Sequence, residues 1–301
     1  MAKKRTRYGI ILYLLPAVIL YTLFMAYPLI MSLGMSLYEW NGYGPMSFVG
    51  LENFKRLLFV EPFNARFFNA LTNNFKLFAY TTLFQNVVAL FLAVLLTKKL
   101  RGTDFYRTIY FMPVTLSVLI VGFIWTLILN PTWGVLNKGL ELIGLVNLAK
   151  PWLGDPNLAL PVIAYVNSWQ FIGLPIMMFV AGIRAIPEEL FEAARIDGCN
   201  EWHVFRNITL PGLMPIIGLV MILTVVGNFS SFEIIYAMAG TMAGPNYATD
   251  VLGTLFYRTA FSATSAQPSM GMGAAIAVFM FVIICFGVAS WSYIDSKFNK
   301  S

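Results

Sequence analysis

Charged residues are scarce in this chain, and their scarcity argues against a soluble protein. Asp, Glu, Lys and Arg make up 11% of its 301 residues, whereas hydrophobic residues make up 58%. Soluble domains carry about 25% charged residues. The apolar residues gather in runs close to the length of about 20 that a membrane-spanning helix needs. The six predicted spans are residues 10–33, 75–96, 109–129, 158–183, 213–236 and 271–294.

The alternation of polar and apolar residues that marks a membrane β-barrel is absent from these runs. Helices are then the structures that satisfy every backbone polar group within a bilayer. The loops between the runs are too short for a sizeable globular domain. We therefore predict an all-α, polytopic membrane protein, with a single transmembrane domain over residues 1–301 and six transmembrane helices.

Histidine and cysteine are nearly missing as well, which limits the chemistry that the chain can perform. His203 is the single histidine, and the two cysteines are Cys199 and Cys285. A metal site needs several such ligands, so none is expected. The chain also lacks the Gly-x-x-x-x-Gly-Lys-Ser/Thr loop that cradles ATP phosphates. We predict no enzyme activity, no metal and no cofactor bound by this chain itself.

The Lys and Arg residues that are present predict the orientation of the spans. They cluster in the N-terminal segment 3–7, in segment 98–107 and in the loop 184–211. Short loops rich in Lys and Arg stay on the cytoplasmic side of the membrane. We therefore predict a cell-membrane protein with both termini in the cytoplasm. No basic stripe lies on a soluble face, so nucleic acid is not an expected partner.

The loop 184–211 is a charged, soluble-looking segment between two long apolar runs. Pro187 suits a first helical position, and the two glutamates after it suit the positive end of a helix. Gly198 is placed to end this helix in a left-handed turn. Asn200 can cap a second helix, which Pro211 would close. Spacing alone therefore predicts two short helices at an angle, or an amphipathic loop lying on lipid headgroups.

Segment 192–198 reads Glu-Ala-Ala-Arg-Ile-Asp-Gly, and segment 208–211 reads Ile-Thr-Leu-Pro. Together they resemble the EAA motif by which permease subunits of ATP-binding-cassette (ABC) importers grip their ATPase. Other segments are similar to the maltose- and glycerol-phosphate-type sugar branch of that family; they are residues 49–54, 101–108 and 244–246. This sequence departs from the family by having Cys199 in place of the usual Ala and His203 in place of a common Gln.

The resemblance implies an assembly and an energy source. The chain would form a heterodimer with a second homologous permease, above two cytoplasmic ATPase subunits that hold ATP and magnesium. An extracytoplasmic sugar-binding protein would deliver the substrate. Small side chains in the loop would let the ATPase approach closely, and an exposed glutamate would meet a basic group. The implied docking residues are Glu192, Ala193, Ala194, Asp197, Gly198, Trp202 and Phe205.

A predicted sugar path follows from polar residues in the fourth and fifth spans. Such residues are costly within a membrane unless they face a cavity or pair with other helices. In maltose-type permeases the matching stretches line the sugar site. The candidate path residues are Asn167, Trp169, Gln170, Thr224, Asn228, Ser231 and Tyr236. The interiors of these spans carry no Lys or Arg, which favours a neutral mono- or oligosaccharide. Interhelical hydrogen bonding is the alternative role for each residue.

Two other classes of function compete with an importer permease. An ion-coupled secondary carrier usually places Asp, Glu or His within its helix bundle. Here Glu233 is the main ionisable residue within the spans. An integral membrane enzyme would need a catalytic constellation that the chain does not offer. We therefore expect a permease that forms half of a translocation path in the lipid bilayer.

Overall fold

A computed structural model describes residues 13–98, 102–261 and 268–298 of the chain. Within these residues the strands are β1 (Tyr38–Glu39) and β2 (Ser47–Phe48), which pair in antiparallel fashion. The helices are α1 Tyr13–Met35, α2 Glu52–Phe59, α3 Phe63–Thr97, α4 Thr103–Phe111, α5 Val118–Ile128, α6 Val135–Leu142, α7 Ala159–Phe171, α8 Gly173–Ala185, α9 Glu188–Ile196, α10 Glu201–Phe229, α11 Glu233–Ala239, α12 Leu252–Phe261 and α13 Met270–Phe298. The predicted all-α class is confirmed.

Four described helices, α1, α3, α10 and α13, are long and apolar enough to cross a membrane by themselves. Two further spans are bent. The helical stretch Thr103–Thr115 meets α5 at 100°, and α7 meets α8 at 51°. If each bent pair is one span, the described residues contain six, which agrees with the number of apolar runs. The chain is a multi-pass membrane protein.

The bends lie where the sequence pattern predicted continuous spans. Pro113 lies in the 3-10 turn Met112–Thr115 that precedes the first bend. At the second bend, Gly173 packs so closely on the Tyr110 backbone that an added Cβ would collide with the Tyr110 carbonyl oxygen. A hydropathy pattern indicates which residues tolerate lipid, but it does not indicate where close contact between two backbones accompanies a bend.

The predicted fifth span, residues 213–236, is not one continuous helix. α10 begins at Glu201 and ends at Phe229, and the short helix α11 follows after a break at residues 230–232. The second loop helix therefore does not end at Pro211 but continues into the span. A π-helical stretch, Phe205–Thr209, precedes Pro211. Its wider turn accommodates a proline, which lacks an N–H and crowds the preceding turn of a regular helix.

The chain divides into two compact units, residues 1–65 with 256–279 and residues 66–255 with 280–301. In the first unit, Asn53 is buried and its side-chain amide donates hydrogen bonds to the carbonyl oxygens of Ser36 and Tyr38, both at 2.9 Å. All candidate site residues belong to the second unit. That the chain acts as one permease domain stays a prediction.

Two hydrophobic clusters hold the second unit together. One joins α3, α5, α7 and α11 through residues such as Leu77, Val121 and Ile235. The other joins the end of α3 to α8 and α10 through residues such as Ile176 and Leu213. Each of these five side chains is at most 2% exposed. Within a bilayer, helices are held together by close van der Waals packing and interhelical hydrogen bonds, so these clusters fix the helices between which the site forms.

Candidate substrate cavity and docking loop

A cavity of about 370 Å³ lies in the second unit, where α10 ends. Its walls come from α3, α5, α7, α8, α10 and the segment that follows α10. Four of the seven predicted path residues line it: Asn167, Thr224, Asn228 and Ser231. The structure thus brings together polar groups that lie more than 50 positions apart in the sequence.

Asn167 and Ser231 present free polar groups to this cavity. Both are half-buried. Neither the Asn167 amide nor the Ser231 hydroxyl makes a hydrogen bond with another described residue. An amide supplies both donors and an acceptor, and a hydroxyl supplies one donor and two lone pairs. These two side chains are therefore available to a polar ligand.

Asn228 lines the cavity and also forms hydrogen bonds that hold helices together. It is 3% exposed, and its Nδ2 donates a hydrogen bond of 2.8 Å to the Thr224 carbonyl oxygen. Its Oδ1 accepts a hydrogen bond of 3.0 Å from the Thr81 hydroxyl. The Asn74 amide also donates to the Asn228 carbonyl oxygen, at 2.8 Å. Interhelical bonding, the alternative role, thus occurs at a residue that lines the cavity.

The Thr224 hydroxyl forms two hydrogen bonds within the protein. It donates to the Val220 carbonyl oxygen and accepts a hydrogen bond from the Asn86 amide, each at 2.8 Å. Thr224 is 6% exposed, and its hydroxyl both donates and accepts a hydrogen bond within the protein, so it joins α3 to α10 at the cavity wall.

The other three predicted path residues do not line the cavity. Trp169 packs edge-on against Trp125, with ring centroids 5.6 Å apart. Gln170 is fully buried and donates a hydrogen bond of 3.0 Å to the Leu116 carbonyl oxygen. Tyr236 lies against the Phe232 ring at 5.2 Å. Two residues along a helix turn by about 200°, so Asn167 and Trp169 must face opposite sides.

Sequence reasoning did not place three polar residues that line the cavity: Thr81, Gln85 and Glu233. Thr81 and Gln85 lie four positions apart on α3, and residues at this spacing share one face of a helix. Polar residues recurring at i and i+4 in an apolar span were the signal that could have found them.

The loop 184–211, the candidate docking loop, contains the predicted left-handed turn. Gly198 has a φ of +73°. The Cys199 amide donates to the Ala194 carbonyl oxygen at 2.9 Å, and the Gly198 amide donates to the Arg195 carbonyl oxygen at 3.1 Å. This bond pair defines a Schellman motif, which satisfies the last carbonyl groups of a helix. The motif ends α9 just before α10 begins.

The predicted cap of the second loop helix is confirmed. The Asn200 Oδ1 accepts a hydrogen bond of 2.9 Å from the His203 amide. The neighbouring Glu201 carboxylate receives a hydrogen bond of 2.6 Å from the Lys98 ammonium at the end of α3. The loop is therefore fastened both within itself and to the second span.

The exposure of the predicted docking residues divides them into two groups. Glu192, Ala193 and Asp197 are exposed, and Trp202 is 62% exposed, with its ring 5.7 Å from that of Phe205. In contrast, Ala194 is 7% exposed and packs within the chain. A large apolar residue that sequence reasoning missed, Ile196, is 86% exposed beside them. Such exposed apolar groups are typical of a surface that meets a partner.

Among residues 13–98, 102–261 and 268–298, no three His, Cys, Asp or Glu side chains lie close enough to hold a metal ion. Phe205 lines a second cavity of about 430 Å³ in the loop, together with charged residues of both signs. They are Lys98, Arg184, Glu188, Arg195 and Glu201.

Comparison with known proteins identifies similar chains along nearly the whole sequence. The probable ABC transporter permease protein YurN of Bacillus subtilis is 34% identical over 293 residues, covering 96% of this chain and 95% of that one. AmyD of Thermoanaerobacterium thermosulfurigenes, a probable starch degradation products transport system permease protein, is 32% identical over 286 residues, 95% of this chain and 93% of that one.

A solved structure shares the fold. It is a bacterial alginate ABC transporter in complex with an alginate pentasaccharide-bound periplasmic protein. One of its chains matches with a TM-score of 0.82 and 24% identity, covering 100% of this chain and 99% of that chain. At this identity the likeness concerns the arrangement of the helices.

A protein family described as the inner membrane component of binding-protein-dependent transport systems matches residues 85–300. That range includes the loop 184–211 and every residue that lines the first cavity except Thr81. The match and the full-length relatives agree with the helical, multi-pass fold. The chain therefore belongs to the family of inner membrane components of binding-protein-dependent transport systems, whose members are ABC transporter permease subunits and not themselves enzymes.

Proposed function

We propose that this chain is the permease subunit of an ATP-driven sugar importer and that sugar passes through the cavity at the end of α10. The observation that carries the proposal is the pair of free polar groups on Asn167 and Ser231 within a cavity of about 370 Å³. A sugar presents hydroxyl groups that need paired donors and acceptors, and an amide beside a hydroxyl supplies both.

The relatives support a sugar as the substrate class. AmyD is named for the transport of starch degradation products. The residues that line the cavity are uncharged apart from Glu233, and many are apolar. A neutral mono- or oligosaccharide fits such walls, because its hydroxyls meet the amides and its ring faces meet the apolar side chains. An anionic substrate would favour a Lys or Arg on the walls.

The energy would come from a cytoplasmic ATPase docked beneath the loop 184–211. Glu192, Ala193 and Asp197 are exposed there, beside Ile196 and Trp202. A partner could bury the apolar side chains and pair a basic residue with Glu192. Two ATPase subunits would hold ATP and magnesium. Ala194 would act by packing α9 against its own chain.

The remaining partners follow from the family. The chain would pair with a second homologous permease as a heterodimer, so that each contributes half of the path. A binding protein outside the cell would deliver the sugar, as the alginate transporter's periplasmic protein carries its pentasaccharide. This arrangement requires both termini and the docking loop to be cytoplasmic.

The test is reconstitution of the complete importer in proteoliposomes with its binding protein. We expect uptake of a neutral sugar that requires ATP on the side of the membrane where the ATPase subunits are bound. This uptake should continue when ionophores abolish the proton and sodium gradients. The competing function is an ion-coupled secondary carrier. Uptake by the permease alone, driven by an ion gradient and independent of ATP, would establish that alternative and overturn the proposal.

A further inference from the structure

We propose that Glu233 sets the charge selectivity of the cavity at the end of α10. Its carboxylate accepts a hydrogen bond from a hydroxyl of a neutral sugar and repels sugars that carry a carboxylate or a phosphate. The inference rests on the proposed function, because it requires the cavity to hold sugar. In the proposed function, Asn167 and Ser231 bind the sugar. Glu233 has the further role of rejecting sugars that carry a negative charge.

The charge of the residues that line the cavity is the first observation that supports this role of Glu233. Glu233 is the one acidic or basic residue among the described residues that line it. The carboxylate is exposed, and it forms no ion pair or hydrogen bond with another described residue. It lines the same cavity as Asn167 and Ser231, whose polar groups are free. A ligand in this cavity therefore meets a net negative wall.

The fold holds Glu233 in place. It is the first residue of α11, whose Ile234 and Ile235 are at most 2% exposed. α11 lies so close to α5 that a Cβ added at Gly122 would be 2.5 Å from the Ala237 Cβ. The break before α11 is packed equally tightly, because a Cβ at Gly253 would collide with the Ser231 carbonyl oxygen.

The position also favours a negative charge. The amide groups in the first turn of a helix give that end a partial positive charge, which stabilises a carboxylate. A structural role at the helix end is therefore the alternative explanation for Glu233. That role concerns stability alone, whereas the proposed role also concerns which sugars bind, so selectivity distinguishes the two.

Physical chemistry gives the size of the expected effect. Hydrogen bonds from a hydroxyl to a carboxylate are roughly twice as strong as bonds between neutral groups. Two like charges about 6 Å apart, at an effective dielectric constant of about 40, repel by an amount that lowers affinity about tenfold. A neutral sugar thus gains a strong acceptor, and the matching uronic acid loses about tenfold in affinity.

The experiment uses the assembled importer in two stages. A panel of neutral mono- and oligosaccharides first identifies one that the wild-type importer transports. Calorimetry then measures the affinity of the purified complex, without its binding protein, for that sugar and for the uronic acid of the same ring. The variants are Glu233→Gln, which removes the charge at constant shape, and the control Glu141→Gln, which removes an exposed carboxylate paired with Lys138 in α6.

We expect the wild type and Glu141→Gln to prefer the neutral sugar at least tenfold, and Glu233→Gln to reduce this preference by about tenfold. An unchanged preference in Glu233→Gln overturns the role of Glu233 while leaving sugar transport established. Failure of the wild type to transport any sugar overturns the proposed function and this inference with it.

A measurement on the wild type alone guards against a variant that does not assemble. Raising the ionic strength from 0.05 M to 0.5 M shortens the range of electrostatic repulsion from about 14 Å to about 4 Å. We expect the affinity for the uronic acid to rise several-fold and the affinity for the neutral sugar to stay constant. A uronic acid affinity that stays constant or falls with salt contradicts the proposal.

Discussion

The Thr81 hydroxyl donates a hydrogen bond of 3.0 Å to the Asn228 side-chain carbonyl, which joins the second span to the fifth at the wall of the cavity. Both residues line that wall. The bond shows that one residue can pack helices together and line the cavity at once. Mutating Asn228 therefore changes two properties, and a second residue is needed to separate them.

Asn228→Ala and Asn167→Ala form such a pair. Removing buried hydrogen bonds costs about 1–3 kcal/mol, so Asn228→Ala should lower the thermal stability of the complex as well as transport. Asn167 has no hydrogen bond to a described residue, so Asn167→Ala should change the unfolding free energy by less than about 0.5 kcal/mol. We expect Asn167→Ala to reduce sugar affinity about three- to tenfold, measured by calorimetry. Full affinity in Asn167→Ala would contradict the proposed sugar contact.

Gly198 should be required for energy coupling and not for membrane insertion. Its φ of +73° belongs to the left-handed region, which costs a residue with a Cβ about 1–2 kcal/mol. Gly198→Val should therefore distort the turn between α9 and α10 and abolish stimulation of ATP hydrolysis by the sugar-loaded binding protein. Gly198→Asn is the matched control, because asparagine tolerates this conformation. If Gly198→Val kept the same strong stimulation of ATP hydrolysis as Gly198→Asn, the left-handed turn would not be required for coupling.

Glu192→Ala should weaken coupling without destabilising the permease. The side chain is exposed, so its removal should change the unfolding free energy by about 0.5 kcal/mol or less. Loss of a charge pair at the ATPase should reduce stimulated ATP hydrolysis about tenfold or more. Glu189→Ala, in the first turn of the same helix, is the control and should keep normal hydrolysis. Similar losses in both variants would point to a general effect of charge on α9.

The orientation of the spans can be tested by cysteine labelling. The background carries Ser at Cys199 and Cys285, which are both exposed. A cysteine at Asp104, whose side chain is 96% exposed, should react with an impermeant maleimide only after the cells are opened. A cysteine at the exposed Asn157 should react in intact cells. Labelling of position 104 from outside would overturn the predicted topology.

Local features of this protein were predictable from the sequence because they depend on a few neighbouring residues. An apolar run of about 20 residues requires a lipid environment, so the number of spans followed from hydropathy. The turn at Gly198 and the cap at Asn200 each involve bonds within five positions. Glycine favours the left-handed turn and asparagine favours the helix cap, so these residue types predict the local geometry.

Only the tertiary structure decided which polar residues meet at the cavity. In the sequence, the polar Asn167 and the aromatic Trp169 are both candidates for the sugar path. The rotation of α7 places only Asn167 on the cavity wall. The end of α10 at Phe229 brings Glu233 to the same place, and that break is packed against Gly253. Helix rotation and helix ends depend on contacts between residues far apart in the chain, which a hydropathy pattern does not contain.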